Sequence, residues 1–182
     1  AAPRRGTVSM PLQEPRKTLE EIVSEVGQYP MDAFIFVQEC VGVAAEHVHG
    51  AMTPEQTAVA HWMAKHEITP EVLREMEQAR RLPPDIATAL RQMGGAEAMN
   101  RHVTGGQLCL AVRDTALHRW GLLARVVLSR WNIRRTEDIG AIIFALVENG
   151  WLQKQPTDTI GDFDHVFSFD EAFEKAYQIG AR

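Results

Sequence analysis

The sequence predicts a mainly α-helical domain with a C-terminal winged-helix-like β-hairpin and an inserted helical lobe. Apolar side chains recur every three or four residues within 32–49 and again within 104–147, as on one face of a helix. Helix-start signals recur within 51–100. Residues 165–169 alternate between polar and apolar side chains, as a half-buried strand does.

The composition is that of a globular protein without covalent cross-links. The chain has 182 residues, 45% hydrophobic and 24% charged, which is close to average usage and sufficient for a hydrophobic core. Cys40 and Cys109 form no CxxC pair, which excludes a disulfide-rich secreted scaffold and a zinc ribbon. The longest apolar run, 139–147, is too short to cross a bilayer, and no secretion signal opens the sequence. We therefore expect a cytoplasmic protein with no membrane partner.

Residues 1–17 are predicted to form a flexible tail, because they contain three prolines and four basic residues without a periodic apolar pattern. Met10 is a candidate start of the natural chain. The core domain is predicted to comprise 18–50 and 101–182. Its first helix starts with a capping box of Thr18 and Glu21, and the second spans Asp32 to His49.

Residues 51–100 are predicted to form a helical insertion. Threonine–proline pairs at 53–54 and 69–70, and the Pro-Pro-Asp sequence at 83–85, are start signals for three short helices. Two glycines at 94–95 end the set. A structureless loop of this length is uncommon inside a compact domain, so helices are expected.

The second part of the core domain starts with a long helix from Thr104, in which Gly121 predicts a bend. A strongly apolar helix is predicted to start with Thr136 as its N-cap. The residues expected to pack in the core after the bend are Leu122, Leu123, Val126, Val127 and Trp131.

Two strands are predicted near the C-terminus, at 151–155 and 165–169, and Asp170 is a candidate cap of a final helical turn that reaches Tyr177. From 104 to 169 the predicted order is three helices, a strand, a loop and a strand. This is the order of elements in a winged-helix module, and the prediction depends on that pattern alone.

Several motifs resemble an uncharacterised bacterial family of conserved hypothetical proteins, which has no assigned function. The resemblance covers roughly 18–50 and 101–173, and it implies no catalytic or binding residue. Typical members of that family join the two parts by a short polar linker, where this chain has about fifty residues. The matching segments are Tyr29–Phe34, Val37–Glu39, His102–Cys109, Arg113-Asp114, Arg119–Arg125, Arg130–Arg134, Thr136–Asp138, Phe144–Glu148 and Phe169–Phe173.

The net charge of −5 hides an uneven distribution. Residues 1–98 carry nine basic and 14 acidic side chains, 99–135 carry seven arginines and one acid, and 136–182 carry three basic and nine acidic side chains. Arginine suits bidentate recognition of phosphate or carboxylate, and two tryptophans in the basic segment could stack on bases. The predicted binding residues are Arg113, Arg119, Trp120, Arg125, Arg130, Trp131, Arg134 and Arg135.

Two interpretations of this arginine-rich segment remain open. The favoured one is pairing with the acidic residues that follow, or docking to an acidic protein. The alternative is contact with RNA or DNA, for which Arg119, Arg130 and Arg134 would share one face of a continuous helix. Ordinary major-groove recognition is disfavoured, because the helix in the recognition position starts with two acidic residues at 137–138.

The sequence predicts no metal site, no cofactor and no catalytic residue. His47 and His49 are two apart on a helix and so point to different faces, and no His-Glu-x-x-His motif is present. Cys109 lies in the first turn of a helix, where thiol pKa values fall, but its apolar neighbours favour packing. The acidic stretch 158–164 lacks the spacing of a calcium loop.

We therefore expect a non-enzymatic cytoplasmic protein-interaction module with another protein as its partner. The alternative is a nucleic-acid-binding or ribosome-associated protein that uses the arginine-rich segment 101–135. The sequence does not determine the oligomeric state.

Overall fold

The computed structural model describes residues 7–9 and 16–174, and within them the chain is mainly helical, which confirms the predicted class. The α-helices are α1 (Leu19–Val26), α2 (Met31–His49), α3 (Pro54–Lys65), α4 (Pro70–Gln78), α5 (Pro84–Met93), α6 (Gly105–Trp120), α7 (Ala124–Arg130), α8 (Thr136–Glu148) and α9 (Phe169–Glu174). Short 3-10 helices are η1 (Ala96–Met99), η2 (Gly121–Leu123) and η3 (Ile160–Phe163), and the strands are β1 (Thr7–Ser9), β2 (Val103–Thr104) and β3 (Gln153–Lys154).

Local sequence signals fix the ends of several helices. Thr18 Oγ1 accepts the backbone N–H of Glu21 at 3.3 Å, and the Glu21 carboxylate accepts the N–H of Thr18 at 2.8 Å, so the predicted capping box is confirmed. Gly27 ends α1 in the left-handed conformation, with φ of 62°. Thr53 and Thr69 are the N-caps of α3 and α4, because their hydroxyl oxygens accept the backbone N–H groups of Gln56 and Val72.

The main hydrophobic core surrounds α2, which packs against α1, α6 and α8. These helices and the segments packed beside them are what we call the body. Their buried side chains form one contiguous cluster, the core of the body. Its largest fully buried members are Ile22, Phe34, Leu108, Leu128, Ile133, Ile139, Ile142, Ile143, Leu146 and Phe163.

A second, separate hydrophobic cluster lies within residues 51–100, the segment that we call the lobe. Helices α3, α4 and α5 and the 3-10 helix η1 pack on one another around it. Its buried members are Val59, Met63, Leu73, Ile86, Leu90 and Ala96.

The two ends of the lobe are held together by two hydrogen bonds to backbone carbonyls. Arg101 Nη2 donates to the carbonyl oxygen of Gly50 at 2.5 Å. His49 Nε2 lies 2.7 Å from the carbonyl oxygen of His102 and donates to it, because a carbonyl can only accept. The chain therefore leaves the body and returns to it at one place.

The strands form a small antiparallel sheet in the order β2-β1-β3. Val8 pairs with Val103 on one side and with Lys154 on the other. Residues 7–9 belong to the segment predicted to be a flexible tail, and they form β1. Both partner strands are distant in sequence, and no local pattern indicates such a pairing. Residues 1–6 and 10–15 of the predicted tail lie outside the described residues.

The predicted winged-helix-like hairpin is not formed among the described residues. The first predicted strand is reduced to β3, which pairs with β1. The second, at 165–169, contains no strand: His165 has φ of 49°, and Phe169 starts α9. The N–H of Val166 is donated to Thr136 Oγ1 at 3.2 Å instead of to a neighbouring strand. The apolar alternation reflects a ring cluster, in which Phe167 stacks on Phe169 with centroids 5.6 Å apart.

Two smaller predictions also differ from the structure. Thr136 was expected to be an N-cap, but it is the first residue of α8, is fully buried, and uses its hydroxyl to hold Val166. The final helical turn is present as α9 as far as Glu174, whereas its predicted end at Tyr177 lies outside the described residues.

Residues 153–164, which we call the strap, contain β3 and η3, and η3 packs on α6 and α8. The ring of Phe163 is buried between these helices. A Cβ on Gly105 would be 3.0 Å from the carbonyl oxygen of Asp162, and a Cβ on Gly140 would be 2.8 Å from Phe163. Glycine at these two positions therefore allows the strap to pack directly on the helix backbones.

Candidate interaction surface

The predicted arginine-rich segment does not form one continuous helix. Gly121, with φ of 53°, ends α6, and Asn132, with φ of 60°, follows the end of α7. Arg119 therefore lies on α6, Arg130 at the end of α7 and Arg134 in the connection before α8, and the face that they would share on a continuous helix does not exist.

Arg119 is occupied within the protein. Its two terminal nitrogens donate to the two carboxylate oxygens of Glu39 at 2.5 and 3.2 Å, and its guanidinium lies 5.5 Å from the ring centroid of Phe36. The hydrogen bond to Arg119 lowers the pKa of Glu39, and Glu39 in turn raises the pKa of Arg119. Because both side chains are exposed, this pair orients Arg119 more than it stabilises the fold.

Arg113 and Arg125 are also paired with carboxylates. Arg113 Nε donates to Asp114 Oδ1 at 2.7 Å, and its guanidinium lies 5.9 Å from the ring centroid of Phe167. Arg125 forms an ion pair with Asp170 of α9. Three of the predicted binding arginines are thus neutralised by carboxylates of the same chain.

The two predicted stacking residues pack on each other. The ring centroids of Trp120 and Trp131 are 5.3 Å apart in an edge-on arrangement, and both rings contact Phe36 of α2 at 4.9 and 5.6 Å. This aromatic cluster covers one side of the body core. The ring faces required for base stacking are therefore largely used inside the protein.

Arg130, Arg134 and Arg135 have exposed side chains. Among the described residues, no carboxylate is in ion-pair contact with Arg130 or Arg134. Arg135 Nε lies 3.9 Å from Asp138 Oδ1, which is a loose contact. Asp138 is mainly engaged elsewhere, because its Oδ2 accepts the backbone N–H groups of Arg134 and Arg135 at 2.8 and 3.1 Å.

An exposed apolar patch lies on η2 and on α7, the helix that ends with Arg130. Leu122, Leu123 and Val126 are 59%, 62% and 54% exposed, the highest values among the large apolar side chains that the structure describes. An open groove of about 360 Å³ starts at Val126 and is lined by Arg125, Val126, Ser129 and Arg130. We call Leu122, Leu123, Val126 and Arg130 together the α7 surface.

The exposure of Leu122, Leu123 and Val126 differs from the prediction, which places these residues in the core. Helix α7 contributes only Ala124 and Leu128 to the fully buried set, four residues apart on its inner face. The turn at Gly121 and η2 rotates the chain before α7 starts, so the helical phase of α6 does not continue. The break at Gly121 is the one sequence signal that could have indicated this exposure.

Neither cysteine is placed as a reactive thiol. Cys40 and Cys109 are fully buried, and burial raises the pKa of both thiols to about 12. In the part of the chain that the structure describes, no three His, Cys, Asp or Glu side chains are placed to hold a metal ion. None of the helices described is long and apolar enough to span a membrane.

Comparisons with known protein families, with curated proteins and with solved structures found no match. The resemblance to a family of conserved hypothetical proteins stays a prediction.

Proposed function

We propose that the protein is a non-enzymatic cytoplasmic interaction module, which binds an acidic and partly apolar segment of a partner protein through the α7 surface. The observation that carries this proposal is the exposure of Leu122, Leu123 and Val126 on one short segment. Isolated exposed apolar residues are common, but a contiguous group beside a groove is typical of a binding site. A cytoplasmic location is supported by the two free cysteines.

The chemistry of the partner follows from the charges of the arginine-rich segment that carries the patch. Arg130 and Arg134 contribute positive charge that no described carboxylate neutralises. The neighbouring Arg113, Arg119 and Arg125 each hold a carboxylate of the same chain. A partner segment with carboxylates flanking leucine- or phenylalanine-like side chains would satisfy both parts of the surface.

Nucleic-acid binding is the competing function, and fewer observations support it. Three of the arginines are engaged with carboxylates, and Trp120 and Trp131 pack on each other. Base stacking by these tryptophans would require the aromatic cluster to open. Two exposed arginines beside a large apolar patch fit a protein better than a phosphate backbone.

The proposal is tested by comparing binding of proteins from a native lysate to immobilised variants, after nuclease treatment. The variants are Leu122→Ser combined with Leu123→Ser, and Arg130→Glu alone. The matched controls are Val72→Ser and Arg81→Glu, which change exposed residues of the lobe. Burying one leucine contributes about 1.5–3 kcal/mol, so the double serine variant should weaken a specific complex at least tenfold.

The expected result is a bound protein that both α7 variants lose and both lobe controls retain. Equal binding by all four variants would contradict the proposal. A second assay measures binding of labelled duplex DNA and single-stranded RNA at roughly 50–200 mM salt. Over this range the affinity of a protein for phosphate groups falls by orders of magnitude. Steeply salt-dependent binding that Arg130→Glu abolishes would establish nucleic acid as the partner and overturn the proposal.

A further inference from the structure

The strap contains a buried carboxyl group that the proposed interaction does not use. Asp158 is only 4% exposed, although aspartate is rarely fully buried without a charged partner. Its Oδ2 accepts the backbone N–H of Gln155 at 2.6 Å, which closes the turn that follows β3. Its Oδ1 is buried and has no hydrogen-bond partner. An ionised carboxylate with one oxygen left unsatisfied is costly in such an environment.

The charged groups near Asp158 do not remove this cost. Lys154 donates to the backbone carbonyl oxygen of Asp158 at 3.2 Å, rather than to the carboxylate, and its ammonium lies 5.7 Å from the ring centroid of Phe144. Asp162 on η3 adds a repulsive negative charge. Burial first, and then the charge of Asp162, raise the pKa of Asp158 to about 6.

The position of Asp158 couples its charge to the packing of the strap. Asp158 lies in the five-residue connection 155–159 between β3, which pairs with β1, and η3, whose Phe163 is inserted between α6 and α8. If the turn opens, water reaches the carboxyl group, and the contacts of β3 and η3 with the body are weakened together. Ionisation of the carboxyl group raises the free energy of the closed strap and therefore favours opening.

We propose that the strap is a pH-responsive element of the fold, which opens more readily when Asp158 is ionised and closes more tightly on α6 and α8 when Asp158 is protonated. In the open strap the carboxyl group has an ordinary pKa of about 3.9, whereas in the closed strap the pKa is about 6. The proton thus binds more tightly to the closed form. The closed form is fully favoured below pH 4, loses stability as the pH rises to about 6, and changes little above that value.

The difference of about two pH units between the two forms sets the size of the effect. Each unit corresponds to a tenfold change in the opening equilibrium, and the open carboxyl group is already about half ionised at pH 4, so the population of the open strap should rise roughly fiftyfold between pH 4 and pH 7. Acidification from neutral pH would tighten the strap.

A histidine at the end of the strap must be separated from this effect. His165, which follows the strap, is exposed, and its Nδ1 lies 3.4 Å from Glu137 Oε1, so this contact also holds the C-terminal end of the strap. His165→Asn removes the charge and keeps a residue that tolerates the positive φ of this position.

The experiment measures backbone hydrogen exchange of residues 155–163 between pH 4 and pH 7, corrected for intrinsic exchange rates, in the full chain. The expected result for the parent protein is a roughly fiftyfold fall in protection, while the amides of α2 keep theirs. Asp158→Asn should remove this pH dependence, because asparagine can still accept the N–H of Gln155 and carries no charge. His165→Asn should retain it.

Protection of the strap that does not change with pH in the parent protein would overturn the proposal. Retention of the pH dependence in Asp158→Asn, with α2 still protected, would also overturn it. Loss of the pH dependence in His165→Asn would assign the effect to the histidine and reject the role of Asp158.

Discussion

Gly140 and Phe163 lie too close together for a methyl group to be added between them. A Cβ on Gly140 would be 2.8 Å from both Cβ and Cγ of Phe163, and these atoms belong to the rigid base of the side chain. Helix α8 thus accepts a glycine in its interior, where the residue lowers helix stability, because the strap requires the space.

Gly140→Ala should destabilise the protein by about 1–3 kcal/mol, since overpacking against Phe163 outweighs the gain of about 1 kcal/mol in helix propensity. The matched control is Gly42→Ala in α2, where a Cβ would meet no atom within 4 Å. This variant should instead be stabilised by up to about 1 kcal/mol. Urea unfolding of the two variants measures both values, and equal signs would contradict the close approach.

Leu146→Ala should lower the free energy of unfolding by about 2–5 kcal/mol, because Leu146 is fully buried in the core of the body. Leu122→Ala, at 59% exposure, should change it by less than about 0.5 kcal/mol. Thermal or urea unfolding of each variant measures its change in the free energy of unfolding. A large loss for Leu122→Ala would show that the α7 surface is part of the core.

Cys40 and Cys109 should be unreactive toward a thiol reagent at pH 8 in the folded protein. Both thiols are fully buried, and with a pKa of about 12 they contain a negligible fraction of thiolate at this pH. The measurement is the absorbance of the released thiolate of a disulfide reagent, with the urea-unfolded protein as the control in which both thiols react. Rapid reaction of a thiol without urea would contradict the burial.

Replacement of the lobe by a short glycine–serine linker between Gly50 and Arg101 should leave the body folded. The two hydrophobic clusters are separate, and the chain ends at the lobe are joined by the bond from Arg101 to the carbonyl of Gly50. Three tryptophans, Trp120, Trp131 and Trp151, remain in the body. Their near-UV circular dichroism should persist, and its loss would show that the body requires the lobe.

The sequence alone determined the helical class, the positions of most helices and the caps at Thr18, Thr53 and Thr69, because these depend on residues within one or two turns. It also located the segment that carries Arg130 and Arg134, with which no described carboxylate forms an ion pair.

Only the tertiary structure decided which of those residues are available. Arg119 pairs with Glu39, which is 80 positions away, and Trp120 meets Trp131 edge-on only because the chain turns at Gly121. The same holds for β1, which completes a sheet with two distant strands in place of the predicted hairpin. Such contacts leave no periodic trace in the sequence, because they depend on how elements meet in space and not on the order of residues within each element.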